Sequence, residues 1–130
     1  MKNEHGFMIV ETLLLSFIAI GLSAAIYSYG AAIRAEETIK ARTTALYLAK
    51  EEMTYIIQKR DLGELTAGHY KYLGERDLTL NNIRYEVFAD VEEYEGDENF
   101  FKAKVTAKWI IFRKSRELSL ERIMLNRKPD

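Results

Sequence analysis

The sequence predicts an α+β fold in which one long N-terminal helix packs on a small antiparallel sheet. Residues 12–33 carry no charged side chain, which is typical of a helix that crosses a membrane. Apolar residues then recur at helical spacing as far as about residue 60, and from residue 83 onward apolar and polar residues alternate. Because a helix with one apolar stripe needs an apolar surface to cover it, the two patterns predict a shared core.

The composition excludes several classes of function. The 130 residues carry a formal net charge of −1 and include no cysteine. No basic stripe supports nucleic-acid binding, and the lack of cysteine removes disulfides, thiolate metal sites and cysteine nucleophiles. The sequence also lacks a glycine-rich phosphate loop. We therefore predict a protein that is not an enzyme and that needs no cofactor or metal.

The apolar run 12–33 has the length of a membrane span. As a helix it would rise about 33 Å, against about 30 Å for the hydrocarbon core of a bilayer. One interpretation is a secretory signal cut near Ala24 and Ala25, although such apolar regions are usually about 7–15 residues long. Another is a single-pass anchor that stays attached. Neither accounts for Glu11, which lies inside an apolar stretch that begins at Phe7.

Glu11 is the most unusual residue of this segment. An acidic side chain at the centre of a membrane helix costs on the order of 3 kcal/mol, and less toward the end of the helix. Such a residue is expected to have a functional role and a partner. A carboxylate that is merely solvated at the level of the lipid headgroups is the alternative, and the physics alone does not choose between them.

The residues around Glu11 carry a family resemblance. A short polar leader is followed by His5, Gly6, Phe7, Met8, Ile9, Val10 and Glu11 and then by the apolar run. This arrangement resembles the class III signal of type IV prepilins and pseudopilins. The resemblance implies that a prepilin peptidase cuts after Gly6 on the cytoplasmic side and that the new N-terminal residue, Phe7, is N-methylated. It also implies that Glu11, the fifth residue of the mature chain, faces the amine of a neighbouring subunit during assembly.

Three features depart from the family pattern. The usual Thr-Leu-Ile after the cleaved position is replaced by Met8, Ile9 and Val10, which loses a hydroxyl. The helix lacks the proline that major subunits carry near its membrane-embedded midpoint, which favours a minor subunit. Arg34, Lys40 and Arg42 follow the apolar run, whereas only Lys2 precedes it. Charge counting would therefore place the N-terminus outside, whereas the prepilin topology needs it inside.

The helix is expected to continue beyond the membrane. Its amphipathic part, residues 34–60, has an apolar stripe that consists of Ile39, Leu46, Ala49, Met53 and Ile56 or Ile57. Gly63 is the expected stop. Two helices with a break near Gly30 are the alternative. The stretch 45–53 loosely resembles the matching helix of minor pseudopilins of the I type and minor pilins of the V type.

The remainder, about residues 68–125, is predicted to be an antiparallel sheet. Asn81 and Asn82 form the expected hairpin turn, and a short strand is expected near residues 69–73. Apolar and polar residues alternate in segments 83–91, 101–111 and 117–121, so one face of each strand is predicted to be buried and the other exposed to solvent. The predicted inward residues are Tyr85, Val87, Ala89, Val91, Phe101, Ala103, Val105, Ala107, Trp109, Ile111, Leu118 and Leu120.

Two further features of the sequence each have two interpretations. The acidic segment 92–99 is either a solvated hairpin loop or a Ca²⁺ site, although its spacing does not follow the EF-hand pattern. Phe88, Phe100, Ile110 and Phe112 fall on the polar face of the alternation. They are either covered by a flanking loop or exposed as an interaction surface. His69 is the only histidine after residue 6, which argues against a transition-metal site.

Together these observations predict a leader at 1–6, a transmembrane and assembly helix at 7–33 and a soluble pilin-like domain at 34–130. The resemblance implies a minor pilin or pseudopilin that helps initiate or cap a type IV pilus or a type II secretion-type pseudopilus. Expected partners are the prepilin peptidase and methylase, other minor and major pilin-like subunits, and an inner-membrane assembly platform. The expected location is the bacterial inner membrane, in a single pass with the soluble domain outside the cytoplasm. The alternative is a membrane-anchored binding domain that does not polymerise.

Overall fold

The structure, a computed structural model, describes residues 2–74 and 76–126, and the side chains of residues 2–5 and 7 lie outside the described part. One helix and five strands make up these residues, which confirms the predicted α+β class. The helix, α1, spans Lys2–Asp61 and passes Gly30 without a break. The chain divides into two compact units, the first ending at Thr38 and the second beginning at Ile39.

Helix α1 ends at Asp61, two residues before Gly63, which the sequence predicts as the stop. Gly63 has φ +72°, a left-handed conformation that favours glycine. Its N–H donates to the carbonyl of Arg60 at 2.9 Å, and the N–H of Glu64 donates to the carbonyl of Lys59 at 2.9 Å. Lys59 and Arg60 also place positive charge at the negative end of the helix dipole. These bonds end the helix by satisfying its last carbonyls.

The second unit contains a five-stranded antiparallel sheet. Its strands are β1 (Gly68–Lys71), β2 (Thr79–Leu80), β3 (Ile83–Tyr94), β4 (Asp97–Ile111) and β5 (Lys114–Leu125). The order across the sheet is β1-β3-β4-β5, and β2 pairs with the beginning of β3. β4 and β5 pair in unbroken register from Phe100 opposite Leu125 to Ile111 opposite Lys114.

Tight turns join the last four strands. The two residues of each turn have positive φ, as the type I′ hairpin turn requires: Asn81 and Asn82, Glu95 and Gly96, and Phe112 and Arg113. The first pair is the turn that the sequence predicts. The second pair shows that the acidic segment is a two-residue hairpin turn flanked by strand residues. The sequence predicts either a solvated hairpin loop or a Ca²⁺ site here.

The core lies between the sheet and the part of α1 that belongs to the second unit. Every inward residue predicted on β3 and β4 is buried, while Leu118 and Leu120 of β5 are partly buried. The predicted helix stripe is correct for Ala49, Met53 and Ile56 and wrong for Ile39, which is 66% exposed. The helix face that packs on the sheet instead runs through Ala41, Ala45, Leu48, Ala49, Glu52, Met53 and Ile56. Three of these residues, Ala41, Ala45 and Ala49, are small, and the buried stripe is rotated away from the larger residue Ile39.

The opposite face of the sheet, here called the outer face, is mixed in character. On this face, acidic, basic and acidic side chains stand side by side on neighbouring strands, as Asp90, Lys104 and Glu121 do. Phe100, Ile110 and Phe112 lie exposed, as the alternation predicts, and no described loop covers them. Phe88 is partly buried between the ring of His69 and the ammonium of Lys108.

Candidate functional site

The residues of the predicted processing site lie in the first turns of α1. Gly6 and Glu11 are exposed, and the side chain of Phe7 lies outside the described residues. A Cβ atom added at Gly6 would meet no atom within 4 Å, and its φ is not in the left-handed region. Neither packing nor backbone conformation therefore requires glycine at position 6. The same is true of Gly21 and Gly30. What distinguishes Gly6 from them is therefore only its position in the N-terminal motif.

Glu11 sits on an apolar helix surface. The described side chains three and four positions away, Met8, Leu14 and Leu15, are apolar and exposed. Among the side chains that the structure describes, none forms an ion pair or a hydrogen bond with the Glu11 carboxylate. A carboxylate in apolar surroundings is costly without a counter-charge, so Glu11 needs water, a headgroup or a cation from another molecule.

The surface around Glu11 is apolar on all sides of the helix. Large hydrophobic residues from Met8 to Ile33 are exposed around its whole circumference. A helix of this kind is normally covered by lipid or by other helices. By length and composition it is a candidate membrane span, and none of the apolar window is buried against the rest of the described chain. A removed signal sequence would satisfy the same criteria.

Three hydroxyl groups within the apolar run, those of Thr12, Ser16 and Ser23, are satisfied by the helix itself. Thr12 donates to the carbonyl of Met8 at 2.8 Å, and Ser16 donates to the carbonyl of Thr12 at 2.9 Å. Ser23 donates to the carbonyl of Ala19 at 2.8 Å. These bonds to the preceding turn leave no hydroxyl proton unpaired at these three positions, which lowers their cost in a lipid environment.

Sequence reasoning missed the polar contacts in the second unit. Glu52 is fully buried, and both carboxylate oxygens lie 3.1 Å from the backbone nitrogen of Leu73. The neighbouring Glu51 accepts a hydrogen bond from the Tyr72 hydroxyl at 3.1 Å and lies 3.6 Å from the Arg76 guanidinium. Burial and this bond to Glu51 raise the pKa of Tyr72 to about 12. Two adjacent carboxylates thus attach the segment after β1 to the helix.

The described residues contain no group of three or more histidine, aspartate or glutamate side chains that could hold a metal ion. His69 Nδ1 lies 2.7 Å from a carboxylate oxygen of Asp90, its partner across β1 and β3. The sequence gives no indication of this pair, since 21 residues separate its members.

Comparison with known proteins adds no assignment. No protein-family model matches the chain, and no curated protein or solved structure is similar to it.

Proposed function

We propose that this chain is a minor pilin or pseudopilin, a structural subunit that helps initiate or cap a type IV pilus or a type II secretion-type pseudopilus. The observation that carries the proposal is the position of Glu11. It is an acidic residue without a described partner, on an exposed apolar helix, five residues after a glycine that no steric requirement explains. In prepilins, which this N-terminal sequence resembles, that pattern is the processing and assembly signal.

The proposed pathway has two stages. A prepilin peptidase cuts between Gly6 and Phe7, and methylation of Phe7 leaves a positively charged amine. The helix from Phe7 then holds the subunit in the bacterial inner membrane in a single pass, with the soluble domain outside the cytoplasm. The Glu11 carboxylate pairs with the amine of a neighbouring subunit, because each charge in the membrane lowers the cost of burying the other. The pair sets the register in which minor and major subunits join on the assembly platform.

The fold supports this proposal in a general way. A helix with an exposed apolar first part can leave lipid for a bundle of similar helices without reorganising its own packing. The helix–sheet core lies in the other unit and uses a separate set of residues. The chain can therefore exchange lipid contacts for subunit contacts and keep its folded domain intact.

The direct test is the mass and N-terminal sequence of the membrane-extracted protein, made together with its native peptidase. We expect a mature chain that starts at N-methylated Phe7. Gly6→Val should block the cut, whereas Gly21→Val, at a helical glycine with equally free space, should leave it unchanged. A chain that keeps Met1, or that starts beyond Ala24, would contradict the proposal and leave an anchored or secreted α+β domain.

A further inference from the structure

An open groove lies beside the first half of β3. It has a volume of about 1100 Å³ and is lined by β1, the segment between β1 and β2, the first half of β3 and the end of β4. Four basic residues, Lys71, Arg76, Arg84 and Lys108, line it against Asp77 and Glu86. Arg76 lies 3.6 Å from Glu51, and Lys108 stands opposite Glu86 in the register. Lys71, Arg84 and Lys108 are exposed, and no salt bridge joins them to a described carboxylate. We call this feature the basic groove.

The turn between β3 and β4 is acidic. Five carboxylates fall within seven residues here: Glu92, Glu93, Glu95, Asp97 and Glu98. All five are exposed, and none forms a salt bridge with a described side chain. Lys102 stands opposite Glu92 in the register but pairs with Glu121 at 3.8 Å. The acidic turn is therefore a concentrated negative charge that its own domain does not neutralise.

The two features cannot meet within one copy. The groove lies beside residues 82–88 and the turn at residues 92–98, so they flank opposite halves of the same strand. Between them, the outer face carries rows that hold both charges, such as Asp90, Lys104 and Glu121 in neighbouring strands. The turn closes the β3–β4 hairpin, and Asn126, after β5, donates hydrogen bonds to the carbonyls of Asn99 and Glu98 at its base.

We propose that the acidic turn of one copy docks into the basic groove of a second copy. Opposite charges would steer the encounter and fix its register. The contact is heterologous, since it joins different surfaces of the two copies, and each pair keeps one free groove and one free turn. The inference does not rest on the proposed function, because a membrane-tethered domain outside any fibre would make the same contact.

The absence of cysteine allows a direct test by disulfide cross-linking. Full-length chains carrying Glu98→Cys and Arg84→Cys are purified separately in detergent, mixed and oxidised. We expect a cross-linked dimer in the mixture and little in either variant alone, since turn-to-turn and groove-to-groove contacts bring like charges together. Gln58→Cys, at an exposed position on α1, replaces Arg84→Cys in the control mixture and should give no dimer.

Charge reversal distinguishes docking from random collision. Lys71→Glu with Lys108→Glu in the groove chain should lower the cross-linked fraction about tenfold, and so should Glu93→Lys with Glu95→Lys in the turn chain. Mixing the two reversed chains should restore the dimer, which also shows that both remain folded. The yield should fall at high salt because exposed charges are screened. A dimer that forms equally well with Gln58→Cys, or a failure of the paired reversals to restore it, would overturn the proposal.

Discussion

The buried carboxylate of Glu52 faces the backbone N–H of Leu73, with each oxygen 3.1 Å from the nitrogen. Glu52 is the only charged residue with a fully buried side chain in the described part of the chain. It lies in the helix stripe that packs on the sheet, beside Met53 and near Ile56. The bond joins α1 to the segment after β1, so an acidic residue in the core has a positioning role within the fold.

This environment predicts an unusual pH dependence of stability. Burial raises the pKa of Glu52 above its ordinary value of 4.5, the bond from Leu73 partly lowers it, and the charge of Glu51 raises it further. Because the folded state holds this proton more tightly than the unfolded state, the contribution of Glu52 to stability increases as the pH falls through the raised pKa toward 4.5.

Glu52→Gln tests this dependence, because the amide cannot ionise. Thermal unfolding of the full chain in detergent, measured from pH 7 to pH 4.5, should show the native chain gaining stability relative to the variant as the pH falls. Parallel curves for the two proteins would show that the Glu52 carboxyl titrates in the folded state as it does in the unfolded state.

A second prediction concerns the packing of the helix on the sheet. Leu48 is fully buried, so Leu48→Ala should lower the free energy of unfolding by about 2–5 kcal/mol. Ile39→Ala is the control, since it removes a similar side chain from an exposed position of the same helix and should change stability by less than about 0.5 kcal/mol. Denaturant unfolding followed by circular dichroism measures both. Equal losses would mean that the helix packs through the stripe that includes Ile39.

The difference between Leu48 and Ile39 shows where sequence reasoning succeeds and where it fails. The sheet faces were predictable because alternation has only two phases, and Val105 or Trp109 can face only one way once the register is set. The buried face of the helix was harder to predict from the sequence. Alanine occurs on buried and exposed faces alike, so Ala41 and Ala45 did not indicate which face packs on the sheet. A buried Glu52 contradicts the pattern, and its reason is a backbone N–H 21 residues away.

At the candidate site, the sequence contributes more than the structure does. Gly6, Phe7 and Glu11 were recognisable only from their order and spacing in the sequence. The structure adds that Glu11 has apolar helix neighbours and no described partner. Contacts such as His69 with Asp90 depend on strand register and could not be read from the sequence. Local spacing is therefore the basis of the proposed N-terminal signal, which stays a prediction, whereas the contacts within the second unit depend on tertiary structure.

The turn between β4 and β5 offers a third prediction. Phe112 and Arg113 have φ of 49° and 63°, in the left-handed region that disfavours residues with a Cβ atom. Arg113→Gly should relieve this cost and raise the free energy of unfolding by about 1 kcal/mol. Lys104→Gly, in the middle of β4, is the matched control and should lower it by a similar amount, since glycine weakens a strand. Stabilisation by both changes, or by neither, would contradict the assigned turn.

The last prediction concerns Glu11 and the choice between an assembling subunit and a tethered domain. In the membrane, the carboxylate is tolerable when a cation neutralises it, and the proposed cation is the methylated amine of a neighbouring subunit. Glu11→Ala should leave expression, membrane extraction and cleavage after Gly6 unchanged, because the soluble core does not involve this residue. It should lower the recovery of other pilin-like subunits with this chain by at least about tenfold, since a charge pair of this kind is worth more than 1.4 kcal/mol. Glu37→Ala, an exposed acidic change on the same helix after the apolar run, is the control and should have no effect. Unchanged recovery with Glu11→Ala would instead favour a membrane-anchored binding domain that does not polymerise, with Glu11 solvated among the lipid headgroups.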